Sequence, residues 1–155
     1  MEIELFNNKL KVFECGKVLV LGKRNPHKGE YYEMKCFIVK GYKLLQLSHE
    51  GKKKNYQIHR IIAYAYLGLD INNPKKVIDH INRLRNDNRV SNLRLVSHQE
   101  NMFNTNAKGY SKKRNKYEAK IGLNGKSIYL GIYDTRELAY NAYLIGKETH
   151  HQLPQ

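Results

Sequence analysis

Short apolar runs alternate with polar residues over the first third of the chain, and this pattern predicts β-strands. Between residues 1 and 40, turn-forming segments at Gly16-Lys17 and at residues 23–29 separate the runs. Two further runs, residues 42–47 and 54–58, are joined through a turn at Glu50-Gly51. Period-two alternation bounded by Gly, Asn and Pro is typical of β-hairpins. The N-terminal part is therefore predicted to be β-rich.

The period then changes to that of a helix. Residues 59–67, HRIIAYAYL, place apolar side chains at helical spacing, and Gly68 follows the run. This pattern predicts a helix that ends near Gly68. A loop is expected at Asn72-Asn73-Pro74, because the residue before a proline is disfavoured in helical conformation.

The segment from Val77 to Asn104 predicts a strand, a loop, a second strand and a helix. Residues 77–81, VIDHI, are short and β-branched, which favours a strand. Residues 82–92 are polar and rich in Asn, and the apolar run 93–96 follows them. Ser97-His98-Gln99-Glu100 has the S-x-x-E pattern of a capping box, with Ser97 as N-cap. Asn101 then lies just after the first helical turn.

A second unit is predicted after Ala107. Three strands are expected at residues 109–111, 117–121 and 127–130, with a hairpin signal at Asn124-Gly125. A final helix, capped within residues 134–137, is expected to reach about residue 149. The side chains expected to face the sheet are Leu138, Ala139, Ala142, Tyr143, Ile145 and Gly146. The chain is thus predicted to be α+β, with a β-rich segment at 1–40, a central domain at 41–106 and a C-terminal domain at 107–155.

The charge and the cysteine content of the chain limit the kinds of binding partner and metal site that can be expected. The chain of 155 residues has 28 Lys and Arg against 14 Asp and Glu, a net charge of +14. A basic surplus spread over the whole chain indicates a polyanionic partner. Only Cys15 and Cys36 occur, without a C-x-x-C pair, so no zinc knuckle is expected. Both are expected to be reduced core residues on neighbouring strands. With no signal-like N-terminus and no 18-residue apolar run, we expect an intracellular protein without a membrane span.

The central segment contains residue types suited to phosphodiester hydrolysis. Such hydrolysis needs an activated water, a metal ion and groups that hold both. His80 can serve as general base near pH 7. Asp79 and Asn101 offer oxygen ligands suited to Mg²⁺ or Mn²⁺, and Asn92 can fix the tautomer of His80 by a hydrogen bond. Adjacent residues on an ideal strand point to opposite faces, so Asp79 and His80 could serve together only if the strand end twists. In the alternative interpretation, His80 is a plain surface histidine and Asn101 a simple helix residue.

Two other histidines are weighed against His80. His98, in the first turn of the predicted helix, is expected to contact a phosphate or to have no role in the chemistry. His59 is expected to be a buried, hydrogen-bonded scaffold residue. The adjacent Arg60 is expected to reach a phosphate.

The central motif resembles that of the HNH nucleases, in particular homing endonucleases of phage type. The residues that carry the resemblance are D-H-I-N at 79–82, N-L-R at 92–94, Asn101, and the upstream Y-x-x-H-R pattern from Tyr56. The resemblance implies a ββα-metal finger in which His80 is the general base, Asn92 positions it, and Asp79 with Asn101 binds the metal. The last position is Asn rather than His, which in this family favours Mg²⁺ or Mn²⁺.

Residues 109–150 resemble the AP2 DNA-binding module. The matching segments are GYSKKRNKYEAKI at 109–121, NGK at 124–126, YLG at 129–131 and YDT-x-E-x-A at 133–139. The resemblance implies a sheet that lies in the major groove of double-stranded DNA, although Tyr117 replaces the usual Trp. It also implies DNA contacts by Lys112, Lys113, Arg114, Lys116, Lys120, Lys126 and Tyr129, with Arg114 the best placed for base edges. Backbone contacts beside the scissile phosphate are expected from Arg83, Arg85 and Arg89.

The sequence therefore predicts a metal-dependent DNA endonuclease of homing type that acts as a monomer or a homodimer. Two alternatives remain open. One is a restriction or defence nuclease with the same chemistry. The other is a non-catalytic DNA-binding regulator that uses the same scaffold.

Overall fold

A computed structural model describes residues 1–71 and 75–152. The loop expected at Asn72-Asn73-Pro74 lies outside the described residues. The chain divides into two compact units, Met1–Leu95 and Val96–Gln155. Four sheets and three α-helices form the described part of the chain, which agrees with the predicted mixture of helices and strands. The helices of the described part are all too short or too polar to span a lipid bilayer.

The first unit contains two antiparallel sheets, one helix and a strand pair. One sheet has the order β1-β2-β3-β4, and the other has the order β5-β6-β7. Helix α1 follows β7 directly, and β8 pairs with β9. The strands and helices have the following bounds: β1 Glu2–Leu5, β2 Asn8–Val12, β3 Val18–Leu21, β4 Tyr31–Tyr32, β5 Phe37–Val39, β6 Tyr42–His49, β7 Lys52–Gln57, α1 Ile58–Tyr66, β8 Val77–His80, a 3₁₀ turn at Val90–Asn92, and β9 Leu93–Val96.

One hydrophobic core joins the N-terminal sheet to α1. Leu10 of β2, Leu45 of β6 and Ile61 of α1 are almost completely buried in the same cluster, and Leu93 of β9 also belongs to it. Alternate residues of β2 and β6 point inward, as period-two burial requires. Residues 1–40 thus share their core with the strand pair that carries Asp79 and His80. The predicted boundary between residues 40 and 41 stays a prediction about domains, and the core cluster contains residues from both sides of it.

The first hairpin of the structure, β1 to β2, is not among the predicted elements. Its turn residues Phe6 and Asn7 both have positive φ angles, 51° and 58°. Asn8 stabilises this turn, because its side-chain amide donates to the carbonyl oxygens of Phe6 and Ser48, each at 2.7 Å. A bulky Phe in left-handed conformation is uncommon, so the sequence contains no usual turn signal at this position.

The prediction of buried cysteines is wrong. Cys15 and Cys36 are both exposed and free. Cys15 lies in the turn after β2, and Cys36 precedes β5, so neither occupies an inward-facing strand position. These positions outweigh the general tendency of cysteine to be buried.

The second unit consists of a short helix, a three-stranded antiparallel sheet and a long helix. The elements are α2 His98–Phe103, β10 Tyr110–Lys113, β11 Lys116–Leu123, β12 Lys126–Tyr133 and α3 Arg136–His150, and the strand order is β10-β11-β12. The predicted three strands and final helix are therefore confirmed as elements. The likeness to AP2 modules stays a prediction.

Helix α3 packs on the sheet through a narrower stripe than expected. Ala139, Tyr143 and Gly146 are buried, and Leu130 of β12 packs against Gly146. These positions follow the i, i+4, i+7 spacing of one helix face. Leu138 and Ile145 fall outside that stripe and are 51% and 65% exposed, so the prediction that they face the sheet is wrong.

Helix α2 begins with the predicted capping box. The Ser97 hydroxyl accepts a hydrogen bond from the Glu100 backbone N–H at 3.2 Å, and the Ser97 N–H donates to Glu100 Oε2 at 2.6 Å. The helix packs within the second unit, where the Phe103 ring stacks on His151 with centroids 3.8 Å apart. The His151 ring in turn is hydrogen-bonded to the Gly122 carbonyl. The last helix of the predicted nuclease motif is thus supported by the C-terminal unit.

Candidate active site

Asp79 and His80 lie at the end of β8, and both are buried, with 5% and 6% relative exposure. The strand pair is held in register beyond these residues by a hydrogen bond from the Ile81 N–H to the Asn92 carbonyl, 2.9 Å long. As expected for adjacent strand residues, the two side chains have different neighbours. Both are nevertheless covered, so His80 is not a plain surface histidine.

Asp79 forms an ion pair with Arg94 of β9. Arg94 Nε and Nη2 lie 2.9 Å and 2.8 Å from the same oxygen, Oδ2 of Asp79. The pair is largely removed from water, since the side chains are only 6% and 16% exposed. A buried carboxylate requires such compensation. The sequence did not identify Arg94 as the partner of Asp79, although Arg94 is the last residue of the N-L-R motif at 92–94.

His80 lies against the polar loop. Its Nε2 is 3.5 Å from Oδ1 of Asn88, a residue that is itself buried. An amide oxygen can only accept, so Asn88 favours the tautomer of His80 that carries its proton on Nε2. Burial lowers the pKa of His80, and the Asn88 contact and the Asp79 charge offset part of that effect. His80 is thus neutral at pH 7, as a general base must be.

His59 and Tyr42 form the aromatic wall around His80. The His59 ring meets the His80 ring edge-on with centroids 5.1 Å apart, and the Tyr42 ring lies 5.0 Å from that of His59. The predicted burial of His59 is confirmed. Its Nδ1 has no hydrogen-bond partner among the described residues, in contrast to the expected hydrogen-bonded scaffold. Burial lowers the pKa of His59 to about 3, so this ring adds no positive charge beside His80.

Asn92 organises the loop that reaches His80. Its Oδ1 accepts a hydrogen bond from the Asn82 N–H at 3.0 Å, and its Nδ2 donates to the Asp87 carbonyl at 2.8 Å. These two bonds fix both ends of the turn that leads to Asn88. The expected influence of Asn92 on His80 is therefore indirect in this structure, and Asn88 makes the contact with the ring.

The loop also contains an ion pair between Arg89 and Asp87, whose side chains are 60% and 16% exposed. Arg89 Nε and Nη2 donate to the two oxygens of Asp87 at 2.9 Å and 2.7 Å, and Asn82 Nδ2 adds a bond of 2.7 Å. The Arg89 guanidinium, with this amide, holds the pKa of the Asp87 carboxyl well below its usual range. A carboxylate pinned in this way stiffens the loop, and part of the charge of Arg89 is thereby compensated.

The other arginines expected to bind phosphate occupy different settings. Arg83 is exposed and has a positive φ angle of 64°. Arg85 lies over the Tyr42 ring, with its guanidinium carbon 5.1 Å from the ring centroid, and donates to the Lys40 carbonyl. Arg60 is half-buried, and its Nη2 is 3.4 Å from the Ile71 carbonyl oxygen. Arg83 and Arg85 are thus accessible to a ligand, whereas Arg60 is partly enclosed.

The expected metal ligands supply oxygen atoms only. Asp79 belongs to the first unit, and Asn101, half-buried on α2, belongs to the second. The described residues contain no cluster of three or more His, Cys, Asp or Glu side chains that could hold a metal. Carboxylate and amide oxygens each suit a hard ion that keeps several waters. Because Oδ2 of Asp79 already accepts two bonds from Arg94, an ion there would have to share the carboxylate with Arg94 or displace it.

The residues expected to bind DNA in the second unit fall into two groups. Three lysines have acidic partners: Lys113 and Lys120 both pair with Glu118, and Lys116 pairs with Asp134. The remaining expected residues are exposed: Lys112, Arg114, Lys126 and Tyr129. Tyr117, at the usual Trp position, accepts a hydrogen bond from Arg136 at 3.2 Å.

Replacing Asn92 by alanine is expected to lower the free energy of unfolding by about 1–3 kcal/mol, because a buried donor and acceptor lose their partners. Thermal or urea denaturation measures this change. Asn55→Ala is the matched control, since Asn55 makes one exposed side-chain bond to Gln46 and should cost less than about 0.5 kcal/mol. Equal stability of the two variants would show that Asn92 does not hold the loop.

Residues 56–103 match the family model of HNH endonucleases. Over 129 residues the chain is 30% identical to the uncharacterized HNH endonuclease L245 of Acanthamoeba polyphaga mimivirus, an alignment that covers 82% of this chain and 36% of the relative. The chain thus spans about a third of the length of that viral protein. Through residues 56–103 the chain is similar to the HNH endonucleases.

A solved structure is also similar. It describes DNA binding and cleavage by the HNH homing endonuclease I-HmuI. The sequences are 28% identical, the match covers 63% of this chain and 50% of that one, and the TM-score is 0.48.

Proposed function

We propose that this protein is a metal-dependent endonuclease of homing type that hydrolyses phosphodiester bonds in double-stranded DNA. The observation that carries the proposal is the buried, neutral His80 beside Asp79, in a strand–loop–strand segment that matches the HNH family. The net charge of +14 supports a polyanionic substrate.

In the proposed reaction, His80 takes a proton from a water molecule as its oxygen attacks phosphorus. The bond from phosphorus to the 3′ oxygen or to the 5′ oxygen must then break, and resemblance to the family favours 3′-hydroxyl and 5′-phosphate ends. Asn88 holds the Nε2 proton, so that Nδ1 of His80 accepts the proton from water. Asn92 acts through the loop, because it fixes the turn that leads to Asn88.

Asp79 and Asn101 would hold Mg²⁺ or Mn²⁺, since both offer the oxygen ligands that these ions prefer. When bound, the ion supplies compensation for the negative charge that develops on the phosphate and the leaving oxygen. Arg94 keeps the buried Asp79 carboxylate compensated when the ion is absent. No zinc site is proposed.

The C-terminal unit is proposed to hold the DNA in the manner of an AP2 sheet. Lys112, Arg114 and Lys126 are exposed there, and Arg83, Arg85 and Arg89 lie on the loop beside His80. We further propose that the protein acts inside a bacterial or virus-infected cell, as a monomer or a homodimer. The viral relative supports that setting.

If the second unit contacts DNA, the DNA affinity should depend less steeply on salt in a triple variant. In this variant Gln replaces Lys112, Arg114 and Lys126. Each phosphate contact contributes about 0.9 to the slope of log affinity against log salt. The loss of three contacts should therefore reduce the slope by roughly 2.7 for a random-sequence duplex, measured by fluorescence anisotropy. A charge-matched triple at Lys9, Lys28 and Lys35 is the control. Equal slopes for the two variants would remove the second unit as the principal DNA contact.

One observation favours a second candidate, a DNA-binding regulator without catalysis. The Asp79 carboxylate is engaged by Arg94, and Arg94 would compete with a metal ion for it. Incubation of supercoiled plasmid with the protein, in Mg²⁺ or in EDTA, separates the two functions. Nicked or linear product only with Mg²⁺ supports the nuclease, whereas binding without product in either condition supports the regulator.

A further inference from the structure

The sheet of the second unit carries a buried carboxylate between two lysines. Glu118 of β11 has only 8% relative exposure. Lys113 Nζ lies 2.9 Å from its Oε1, and Lys120 Nζ lies 2.8 Å from its Oε2. The intervening residue Ala119 and the following Ile121 are buried beneath α3. Because side chains alternate along a strand, the Glu118 cluster lies on the face away from that helix.

All three groups of the cluster are charged at neutral pH. Hydrogen bonds from Lys120 and Lys113 hold the pKa of Glu118 below its usual range, and the Glu118 carboxylate raises the pKa of Lys113. One carboxylate cannot neutralise two ammonium groups. The cluster therefore keeps a net charge of about +1.

The two lysines extend outward from the carboxylate. Their side chains are 59% and 48% exposed, whereas that of Glu118 is 10% exposed. An ammonium group has three N–H donors, and Glu118 accepts from one on each lysine, so each keeps two for an outside acceptor. Both ammonium groups are thus gathered at one carboxylate.

The neighbouring lysine pair lacks this support. Lys116 and Asp134 are 2.9 Å apart, but both side chains are mostly in solvent, with 57% and 76% exposure. An exposed pair of this kind does not hold its lysine in a fixed position. It therefore provides a matched control from the same sheet.

We propose that Glu118 is a positioning residue that holds Lys113 and Lys120 as a binding site for a single backbone phosphate of DNA. The inference rests on the proposed function, because it requires that this face of the sheet meets DNA. A lysine already held by Glu118 loses little further freedom when it binds a phosphate, and such preorganisation strengthens binding. Glu118 thus makes Lys113 and Lys120 more effective, although it removes one unit of positive charge.

A double-mutant cycle in the full chain tests this proposal. The dissociation constant for a random-sequence duplex is measured over a range of salt for wild type, Lys113→Gln, Glu118→Gln and the double variant. Lys120→Gln replaces Lys113→Gln in a second cycle, and Lys116→Gln with Asp134→Asn forms the control cycle. Circular dichroism and thermal melting confirm that each variant is folded.

Lys113→Gln is expected to weaken DNA binding more at low salt than at high salt. Between 1 M and 0.1 M salt, the loss of affinity should grow about eightfold, which is the effect of one phosphate contact over a tenfold change in salt. In the Glu118→Gln background the same substitution should cost less than about threefold, because Lys113 is no longer positioned. The control cycle should show no coupling. A larger effect of Lys113→Gln without Glu118 would overturn the proposal, since Glu118 would then only screen the lysine.

Failure of the proposed function gives a different result. If the wild-type chain binds DNA but Lys113→Gln, Lys120→Gln and the triple variant of Lys112, Arg114 and Lys126 all leave the affinity unchanged, this sheet face does not meet DNA. If the triple variant weakens binding while the Glu118 cycles show no coupling, the sheet binds DNA and only the phosphate site assigned to Glu118 is lost.

Discussion

Replacing His80 by alanine is expected to slow DNA cleavage by about 100- to 10,000-fold, the usual contribution of a general base. The reason is that His80 is the buried, neutral imidazole of the candidate site, with Asn88 at its Nε2. DNA affinity should stay nearly unchanged, because the basic residues expected to contact phosphates are untouched. Single-turnover nicking of plasmid measures the rate, and fluorescence anisotropy measures the affinity.

His98→Ala is the matched control for this substitution. His98 is exposed on the first turn of α2, so its removal should change the rate only through a lost phosphate contact. A His98 variant as slow as the His80 variant would move the general base to α2. Wild-type rates for the His80 variant would remove His80 from the chemistry.

The environment of His80 also predicts the pH dependence of cleavage. Burial lowers the pKa of His80, so the neutral base persists at pH values at which an ordinary histidine is protonated. The acid limb of the rate profile should therefore lie below pH 6.5, the ordinary value for histidine. An acid limb above that value would contradict the described surroundings of the ring.

Replacing Arg94 by alanine is expected to lower the free energy of unfolding by about 3 kcal/mol or more in the absence of divalent metal. The substitution leaves the Asp79 carboxylate buried without its guanidinium partner, which is the costly way to break a buried ion pair. Urea denaturation in EDTA measures the change. Lys17→Ala is the control, since its pair with Glu33 is exposed and should cost less than about 1 kcal/mol.

Divalent metal should partly reverse the loss in the Arg94 variant. If Asp79 is a metal ligand, Mg²⁺ can bind the carboxylate without competition from Arg94, and an ion that binds only the folded state stabilises it. The melting temperature of Arg94→Ala should then rise with Mg²⁺ more than that of wild type. A variant that is destabilised but insensitive to Mg²⁺ and Mn²⁺ would leave Asp79 as a structural residue only.

The local elements were largely predictable because they depend on short-range patterns. Alternation located β3, β6 and β7, helical spacing located α1, and the capping box at Ser97 located the start of α2. These signals come from neighbours in sequence, so tertiary contacts are not needed to recognise them. The β1–β2 hairpin was not predicted, because its turn uses Phe6 and Asn7 in left-handed conformation.

The partners within the candidate site could not be predicted in the same way. The loop from residue 82 to 92 has no periodicity, so nothing in its sequence distinguishes Asn88, which reaches His80, from the other asparagines. The Asp79–Arg94 pair depends on how β8 and β9 pair, which joins residues 15 positions apart. Leu10 of the N-terminal sheet and Ile61 of α1 belong to one core, and their separation in sequence hides this arrangement in the same way.

The most direct test of the central claim is cleavage of supercoiled plasmid by wild type and His80→Ala, each in Mg²⁺ and in EDTA. The proposed mechanism predicts nicked or linear DNA from the wild type in Mg²⁺ alone, and almost none from the variant at equal DNA occupancy. Equal product from both proteins, or product that persists in EDTA, would contradict a metal-dependent nuclease with His80 as its base.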